Sequence, residues 1–138
     1  MGDRDLEIDG LIDEHRELMT IMAKLRDTAG QPDAEVDGLL GDLTTALAHH
    51  TEREEAGLFR TLREVELPPE YMGLFEHDHG HLSDLIESAK RDRHGVDDLL
   101  KSLDVHMARE EGDMFPAAEQ LLGPADWDAI DAAVAHLR

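Results

Sequence analysis

The sequence predicts an all-α protein, folded as an antiparallel up-down-up-down four-helix bundle with a short fifth helix near the C-terminus. Three observations lead to this prediction. Apolar residues recur at steps of three and four along each long segment, as they do on one face of a helix. No stretch alternates apolar and polar residues in the manner of a half-buried strand. Glycine and proline interrupt the chain and leave only short connections, which favour antiparallel neighbours.

Each predicted helix is bounded by these glycines and prolines. The four long helices are predicted at residues 5–28, 34–65, 69–92 and 96–122. Gly30 and Pro32 end the first helix, and Pro68 ends the second. Pro124 suits the first turn of a short fifth helix, which is expected to cover the bundle as a lid. A chain of 138 residues is long enough to form one core, so a single domain over residues 1–138 is predicted.

The apolar stripes predict which residues face the core. On the first helix they include Leu18 and Met19, and on the fourth they include Met114 and Leu121. On the fifth helix the stripe contains Trp127, which suits a helix that packs by one side only.

The composition excludes several classes of function. The chain carries 33 acidic and 13 basic side chains, which give a formal net charge of -20. Nucleic acids and anionic lipid surfaces both require a basic face, so neither is expected as a partner. The N-terminal residues lack the apolar core of a signal peptide, and no apolar run approaches the length of a membrane span, so a cytoplasmic protein is expected. The absence of cysteine excludes disulfides, thiolate metal sites and a cysteine nucleophile.

Polar residues interrupt the apolar stripe of every long helix. Such positions are expected to be apolar, because burying an unpaired charge costs several kcal/mol. His15, for example, lies between Leu11 and Leu18. The residues that break the rule are all of types that bind metals: His15, His50, Glu54, His79, His106 and Glu110.

The second and fourth helices each carry a histidine and a glutamate four residues apart. Residues at this spacing lie on one helix face, so His50 is expected beside Glu54, and His106 beside Glu110. Imidazoles and carboxylates suit iron, manganese or zinc, and carboxylates between two sets of imidazoles suit a pair of ions. A single inward histidine is more often a hydrogen-bonded core residue than a ligand. Six such positions at compatible depths nevertheless favour a metal site.

The five other histidines are interpreted as surface residues. His49 lies on a mostly polar face, His94 lies in a loop, and His136 lies near the C-terminal end. His77 and His81 are four residues apart and could chelate a metal, but they share a polar face. They are therefore the second choice for the third helix, after His79.

One phrase of the sequence occurs twice. Residues 50–59 read HTEREEAGLF, and residues 106–115 read HMAREEGDMF. Each begins with a His-x-x-x-Glu pair and ends in phenylalanine. A lone histidine follows acidic residues on the first helix, in Asp13-Glu14-His15. Taken together, these motifs resemble the hemerythrin-like (HHE cation-binding) domain, and the resemblance extends over essentially the whole chain.

The resemblance implies a non-heme centre of two iron ions joined by an oxo or hydroxo bridge. Glu54 and Glu110 would be bridging carboxylates, and the terminal ligands would be His15, His50, His79 and His106. Oxygen-carrying hemerythrins place two histidines one turn apart on the third helix, whereas here Phe75 precedes His79 by one turn. In a shifted register, His77 and His81 would supply that pair instead. The fourth helix also departs from the carriers, with glutamate after three intervening residues where they use aspartate after four.

This ligand set favours a reactive centre. Two carboxylates, one oxo bridge and four imidazoles leave about two coordination positions open on two six-coordinate ions, and open positions are typical of reactive sites. The expected ligand is a small diatomic molecule or a peroxide. The predicted function is catalase- or peroxidase-like detoxification, or a redox response, toward hydrogen peroxide, dioxygen or nitric oxide. The alternatives are a dioxygen carrier, store or sensor without turnover, and a metal-free helical interaction domain.

Overall fold

A computed structural model describes residues 4–28, 31–65 and 67–137, and these residues form helices with no strand among them. The predicted all-helical class is therefore confirmed. Helix α1 spans Arg4–Arg26. Helix α2 begins as Asp33–Glu54, continues through a π-helical turn at Glu55–Phe59 and ends with Arg60–Leu62.

The second half of the chain repeats this arrangement. Helix α3 spans Pro69–Arg91, with Pro69 in its first turn, and the 3-10 turn Arg93–Gly95 follows it. Helix α4 runs from Val96–Arg109 through a π-helical turn at Glu110–Met114 to Phe115–Leu121. Helix α5 spans Pro124–Val134 and ends in the 3-10 turn Ala135–Leu137. The predicted boundaries differ from these by a few residues at most.

The four long helices contact one another in a closed order. Helix α1 contacts α2, α2 contacts α3, α3 contacts α4, and α4 contacts α1. Helix α5 packs on α1 and on the part of α2 that begins with the π-helical turn. Within the described ranges, no helix is both long enough and apolar enough to cross a lipid bilayer.

Two apolar cores lie on either side of a polar layer. One core contains Leu18, Leu47, Leu82 and Leu103, and the other contains Leu11, Leu58, Phe75 and Met114. Each long helix contributes one of these residues to each core, and its inward histidine lies between them in the sequence. The helices therefore bring the four histidines to one depth between the cores.

Two residues of the predicted stripes do not face the core. Met19 is 51% exposed and Leu121 is 44% exposed. Met19 lies at the edge of its stripe, where Leu18 and Met22 already fill the core side. On α4 the cause is the π-helical turn, which accommodates an extra residue and rotates the chain after it. Phe115, Ala118 and Leu122 then face inward in place of Leu121.

Gly57 allows α5 to pack closely on the π-helical turn of α2. A Cβ atom at this position would lie 2.7 Å from Val134 Cγ1 and 3.1 Å from Ile130 Cγ2. We therefore expect Gly57→Ala to lower the free energy of unfolding by about 1–3 kcal/mol, the usual cost of overpacking.

Gly38→Ala is the matched control on the same helix, because a Cβ there would meet nothing within 4 Å. It should raise the free energy of unfolding by about 0.5–1 kcal/mol, since glycine is a poor helix former. Urea unfolding at equal metal content measures both variants. Equal changes in the two would contradict the close packing of α5.

Candidate metal centre

Six buried side chains of four helices meet in the polar layer. The exposed fractions are 1% for His15 and His50, 6% for His79, 2% for His106, and 0% for Glu54 and Glu110. These are the six residues that the sequence predicts as ligands, and the structure brings all six together.

The six residues form two groups that share both glutamates. One group consists of His15, His50, Glu54 and Glu110, and the other consists of Glu54, His79, His106 and Glu110. Within each group, the potential ligand atoms all lie within 4.8 Å of one another. Each group has the residue types and the compactness of a site for one cation, and the shared carboxylates place the two sites side by side.

The distances show how closely the Nε2 atoms approach the carboxylates. His15 Nε2 lies 2.9 Å from Glu110 Oε1, and His106 Nε2 lies 3.1 Å from Glu110 Oε2. Glu54 Oε1 lies 3.2 Å from Nε2 of both His50 and His79.

Several of these inward atoms have no hydrogen-bond partner among the described residues. They are both carboxylate oxygens of Glu54, Oε2 of Glu110, and Nε2 of His79 and His106. A buried polar atom without a partner is costly, and most such atoms in proteins are satisfied. Cations held by the two groups would give each of these atoms a partner. The residues present therefore fit a metal centre.

The electrostatics of the cluster also favour cations. Burial of the His79 ring opposes its charge, but the carboxylates of Glu110 and Glu54 outweigh this and raise the pKa of His79 to about 10. The pKa values of His50 and His106 are raised in the same way, against the effect of burial. Burial likewise opposes ionisation of Glu110, yet the surrounding histidines hold its pKa well below its ordinary value. The buried Glu110 carboxylate is thus stabilised by positive charge, which either protonated histidines or metal ions can supply.

A second layer of four carboxylates, which we call the outer carboxylates, orients the histidines. The Nδ1–H group of His50 donates to Glu14 at 2.8 Å, and that of His79 donates to Glu55 at 3.2 Å. The Nδ1–H group of His106 donates to Asp78 at 3.4 Å, and that of His15 donates to Glu111 at 3.0 Å. Each bond runs from a histidine to the neighbouring long helix, so the four bonds form a ring. A carboxylate on Nδ1 directs the Nε2 lone pair inward and increases its basicity as a ligand.

Two arginines hold two of the outer carboxylates. Arg53 Nη1 donates to Glu14 at 3.2 Å, and Arg109 Nη1 donates to Asp78 at 3.2 Å. Arg53 is buried and also donates to Glu7, from Nε at 2.7 Å and from Nη2 at 3.2 Å. Gly10 leaves room for this guanidinium, because a Cβ at Gly10 would lie 2.5 Å from Nη2.

The doubled phrase of the sequence now has a structural explanation. In each copy the histidine and the first residue of the Glu-Glu pair (Glu54 or Glu110) face the cluster. The second residue of that pair and the phenylalanine contact a histidine of a neighbouring helix. Glu55 bonds to His79 and Phe59 stacks on the same ring, with centroids 5.1 Å apart. In the other copy, Glu111 bonds to His15 and Phe115 stacks on that ring at 5.7 Å.

The π-helical turns coincide with this part of the phrase. They cover Glu55–Phe59 on α2 and Glu110–Met114 on α4. Such turns occur frequently at functional sites. Neither these turns nor the outer carboxylates nor the role of Arg53 was predicted from the sequence. One signal was available, because each outer carboxylate is adjacent in sequence to one of the six inward residues.

The remaining histidines lie outside both groups of potential ligands. His77 and His81 are exposed, and their rings stack on each other with centroids 6.5 Å apart. His49, His94 and His136 are also exposed. His79 is thus the residue of α3 that lies with the cluster, in the register that the sequence analysis preferred.

The choice between these histidines can be tested by metal content. We expect His79→Ala to lose metal from the site that contains His106, because only one imidazole would remain there. The double variant His77→Ala/His81→Ala is the matched control on the same helix and should keep the parental metal content. Elemental analysis of both purified proteins measures the effect. Loss of metal in the double variant alone would reverse the assignment.

Fold and site together define a helical cation-binding protein whose core carries imidazoles and carboxylates. The family model of the hemerythrin HHE cation-binding domain matches residues 6–118. This match covers most of the chain, and the chain therefore belongs to the hemerythrin HHE cation-binding domain family. Membership implies that the chain binds a metal cation. Neither the curated proteins nor the solved structures contained a match to the chain.

Proposed function

We propose that this protein is a non-heme di-iron protein that consumes small oxidants, with hydrogen peroxide as the principal substrate. Glu54 and Glu110 would bridge two iron ions, together with an oxo or hydroxo group. His15 and His50 would complete one position, and His79 and His106 the other. The iron pair would supply the redox chemistry that neither imidazole nor carboxylate can provide.

One observation carries this proposal: the two groups of four residues share both glutamates, and each contains only two histidines. Four protein groups do not fill the coordination sphere of an iron ion, so each position has room for a small molecule. Open coordination positions characterise reactive metal sites rather than structural ones. The pairing of two such positions favours turnover of peroxide over simple storage of a cation.

The other residues of the site would hold this centre in place. The outer carboxylates fix the orientation of the imidazoles, and Phe59 and Phe115 cover two of the rings. The apolar cores on either side keep bulk water away from the layer. These groups position the ligands and exclude water, and none of them has to transfer a proton in this proposal.

The scaffold that we propose is an antiparallel up-down-up-down four-helix bundle, folded as one domain and covered at one end by α5. Contacts across neighbouring helices support it, because residue numbers rise on one helix as they fall on the next. Between α1 and α4, His15 bonds to Glu111 and Arg26 bonds to Asp104. The same inverse order holds for the other neighbours. Between α1 and α2 the bonded pairs are Glu7 with Arg53 and Glu14 with His50. Between α2 and α3 they are Glu55 with His79 and Arg63 with Glu76, and between α3 and α4 they are Tyr71 with Asp113 and Asp78 with Arg109.

Peroxide consumption by the iron-loaded protein tests the function. We expect sustained turnover well above that of an equal amount of free iron, measured by oxygen release and by loss of peroxide. The matched control is the same protein loaded with zinc, which occupies imidazole and carboxylate sites but has no redox chemistry. Reversible dioxygen binding without peroxide turnover would contradict the proposal and identify a carrier, store or sensor instead.

A further inference from the structure

The two positions of the centre differ in how they are closed. Around His15 and His50, the buried pair of Arg53 and Glu7 forms the wall, and Glu14 joins it to the His50 ring. A cavity of about 420 Å³ on this side is lined by Glu14 and Arg53 but by neither His15 nor His50. From this cavity neither of the two histidines is reached, because the bonded side chains of Arg53 and Glu14 form its wall.

The position of His79 and His106 is open by comparison. A cavity of about 610 Å³ lies between α2 and α3 and is lined by His79 itself. We call it the α2/α3 groove. Its walls include the short side chains Ala48 and Thr51 of α2 and Ser83 of α3, which leave the passage wide. His79 is also the most exposed of the four inward histidines, at 6%.

The α2/α3 groove is acidic. Glu52, Glu55 and Glu87 line it. Basic side chains contact only the outer end of this set, where Lys90 bonds to the Glu87 carboxylate at 3.4 Å and Arg91 donates to the Glu87 backbone carbonyl at 3.3 Å. A cleft lined by one sign of charge repels ions of that sign and leaves uncharged molecules unaffected. This groove therefore disfavours small anions and admits small neutral molecules.

A second cavity, of about 320 Å³, lies between α3 and α4 and is lined by His106. It leads to the same position, so both cavities favour the same side of the centre. Its lining differs, because Lys101 and Arg109 contribute positive charge. It is the alternative route that an experiment must separate from the α2/α3 groove.

We propose that small uncharged molecules reach the centre through the α2/α3 groove and bind at the position of His79 and His106, while the position of His15 and His50 remains closed. This inference rests on the proposed di-iron function, since it assigns the place at which that function takes up its substrate. The ligand class is a neutral molecule of two to four atoms, such as hydrogen peroxide, dioxygen or nitric oxide.

The route is tested with nitric oxide as the neutral probe and the ferrous protein as its target. Ser83 lines the groove one turn after His79. Because helical side chains lean toward the preceding turn, the larger side chain in Ser83→Phe should cover the end of the groove at His79. We expect this variant to bind nitric oxide about tenfold more slowly, or slower still, in stopped-flow absorbance, because gating of a route acts on the association rate.

Two matched controls separate the outcomes. Ser88→Phe makes the same change at an exposed position of α3, and Ser102→Phe makes it in the cavity beside His106. Both should bind nitric oxide at the parental rate. A parental rate in Ser83→Phe, or slowing in Ser102→Phe alone, would overturn the route. If the parental protein holds iron but binds no nitric oxide, this inference fails. Failure of the proposed function is a different result, because it would appear as absent peroxide turnover in the iron-loaded protein.

Charge selection and the binding position are tested separately. With azide as the anionic probe, Glu52→Gln/Glu87→Gln should accelerate association at low salt, and the gain should shrink as salt is added. Nitric oxide should bind this variant at the parental rate. A crystal structure of the nitric oxide complex should place the probe on the ion held by His79 and His106. Density on the other ion, or no effect on azide, would overturn the corresponding part of the proposal.

Discussion

Replacing Glu110 with glutamine is expected to remove iron from both positions at once, from about two ions per chain to nearly none. Glu110 belongs to both groups of potential ligands. Its Oε1 lies 2.9 Å from His15 Nε2 and 3.6 Å from His50 Nε2, and its Oε2 lies 3.1 Å from His106 Nε2 and 3.7 Å from His79 Nε2. The change keeps the shape of the side chain but removes one negative charge from a buried site that needs it.

Loss of the metal should also lower the thermal stability. Metal that binds the folded chain and not the unfolded chain stabilises the folded state, so Tm should fall together with iron content. The difference in Tm between the parent and Glu110→Gln should become smaller in the presence of a chelator, because both proteins are then free of metal. This second comparison separates a lost ligand from a change in packing.

Glu119→Gln is the matched control, because Glu119 lies exposed on the same helix and loses the same charge. Elemental analysis should give the parental iron content for this variant. Full iron content in Glu110→Gln would show that Glu110 is not a bridging ligand. The assignment of both positions would then have to be revised, because they share this residue.

Replacing Arg53 with methionine is expected to destabilise the fold strongly. Arg53 is 7% exposed and its guanidinium bonds to Glu7, which is 1% exposed, as well as to Glu14. Removing one partner of a buried ion pair leaves the other charge in a poorly solvated place, which typically costs about 3–5 kcal/mol. The variant should also loosen Glu14, and with it the orientation of the His50 ring.

Arg109→Met provides the comparison, because Arg109 makes the corresponding bond to Asp78 at the other position. Its side chain is 57% exposed, and exposed ion pairs contribute only about 0–1 kcal/mol. Urea unfolding of the two variants, each loaded with metal, should therefore give clearly different losses. Similar losses would contradict the view that the Arg53 network is the buried wall of the centre.

The sequence was informative about this centre because helices translate spacing directly into direction. His50 and Glu54 are four residues apart, and so are His106 and Glu110, which places each pair on one face without any knowledge of the partner helices. His79 could be preferred over His77 and His81 for the same reason, since Phe75 and Leu82 mark the inward face of its helix.

The same reasoning failed where a helix departs from regular geometry. Leu121 was predicted to face the core because a regular period was carried through residues 110–114. The π-helical turn at Glu110–Met114 breaks that period and turns Leu122 inward. A prediction that assumes one helical period along the whole segment cannot include such a change. Its effect is visible in the structure, where the consecutive residues Met114 and Phe115 are both buried.

The sequence by itself determined the helical class, the family and the six inward residues, because these depend on local period and on residue type. Only the tertiary structure decided which carboxylate supports which histidine and which side of the centre is open. Those features depend on contacts between residues that are distant in the chain, such as the hydrogen bond that His50 donates to Glu14, 36 residues away. Spacing along one helix specifies a direction, but the distance and rotation between two helices are set by how their side chains pack.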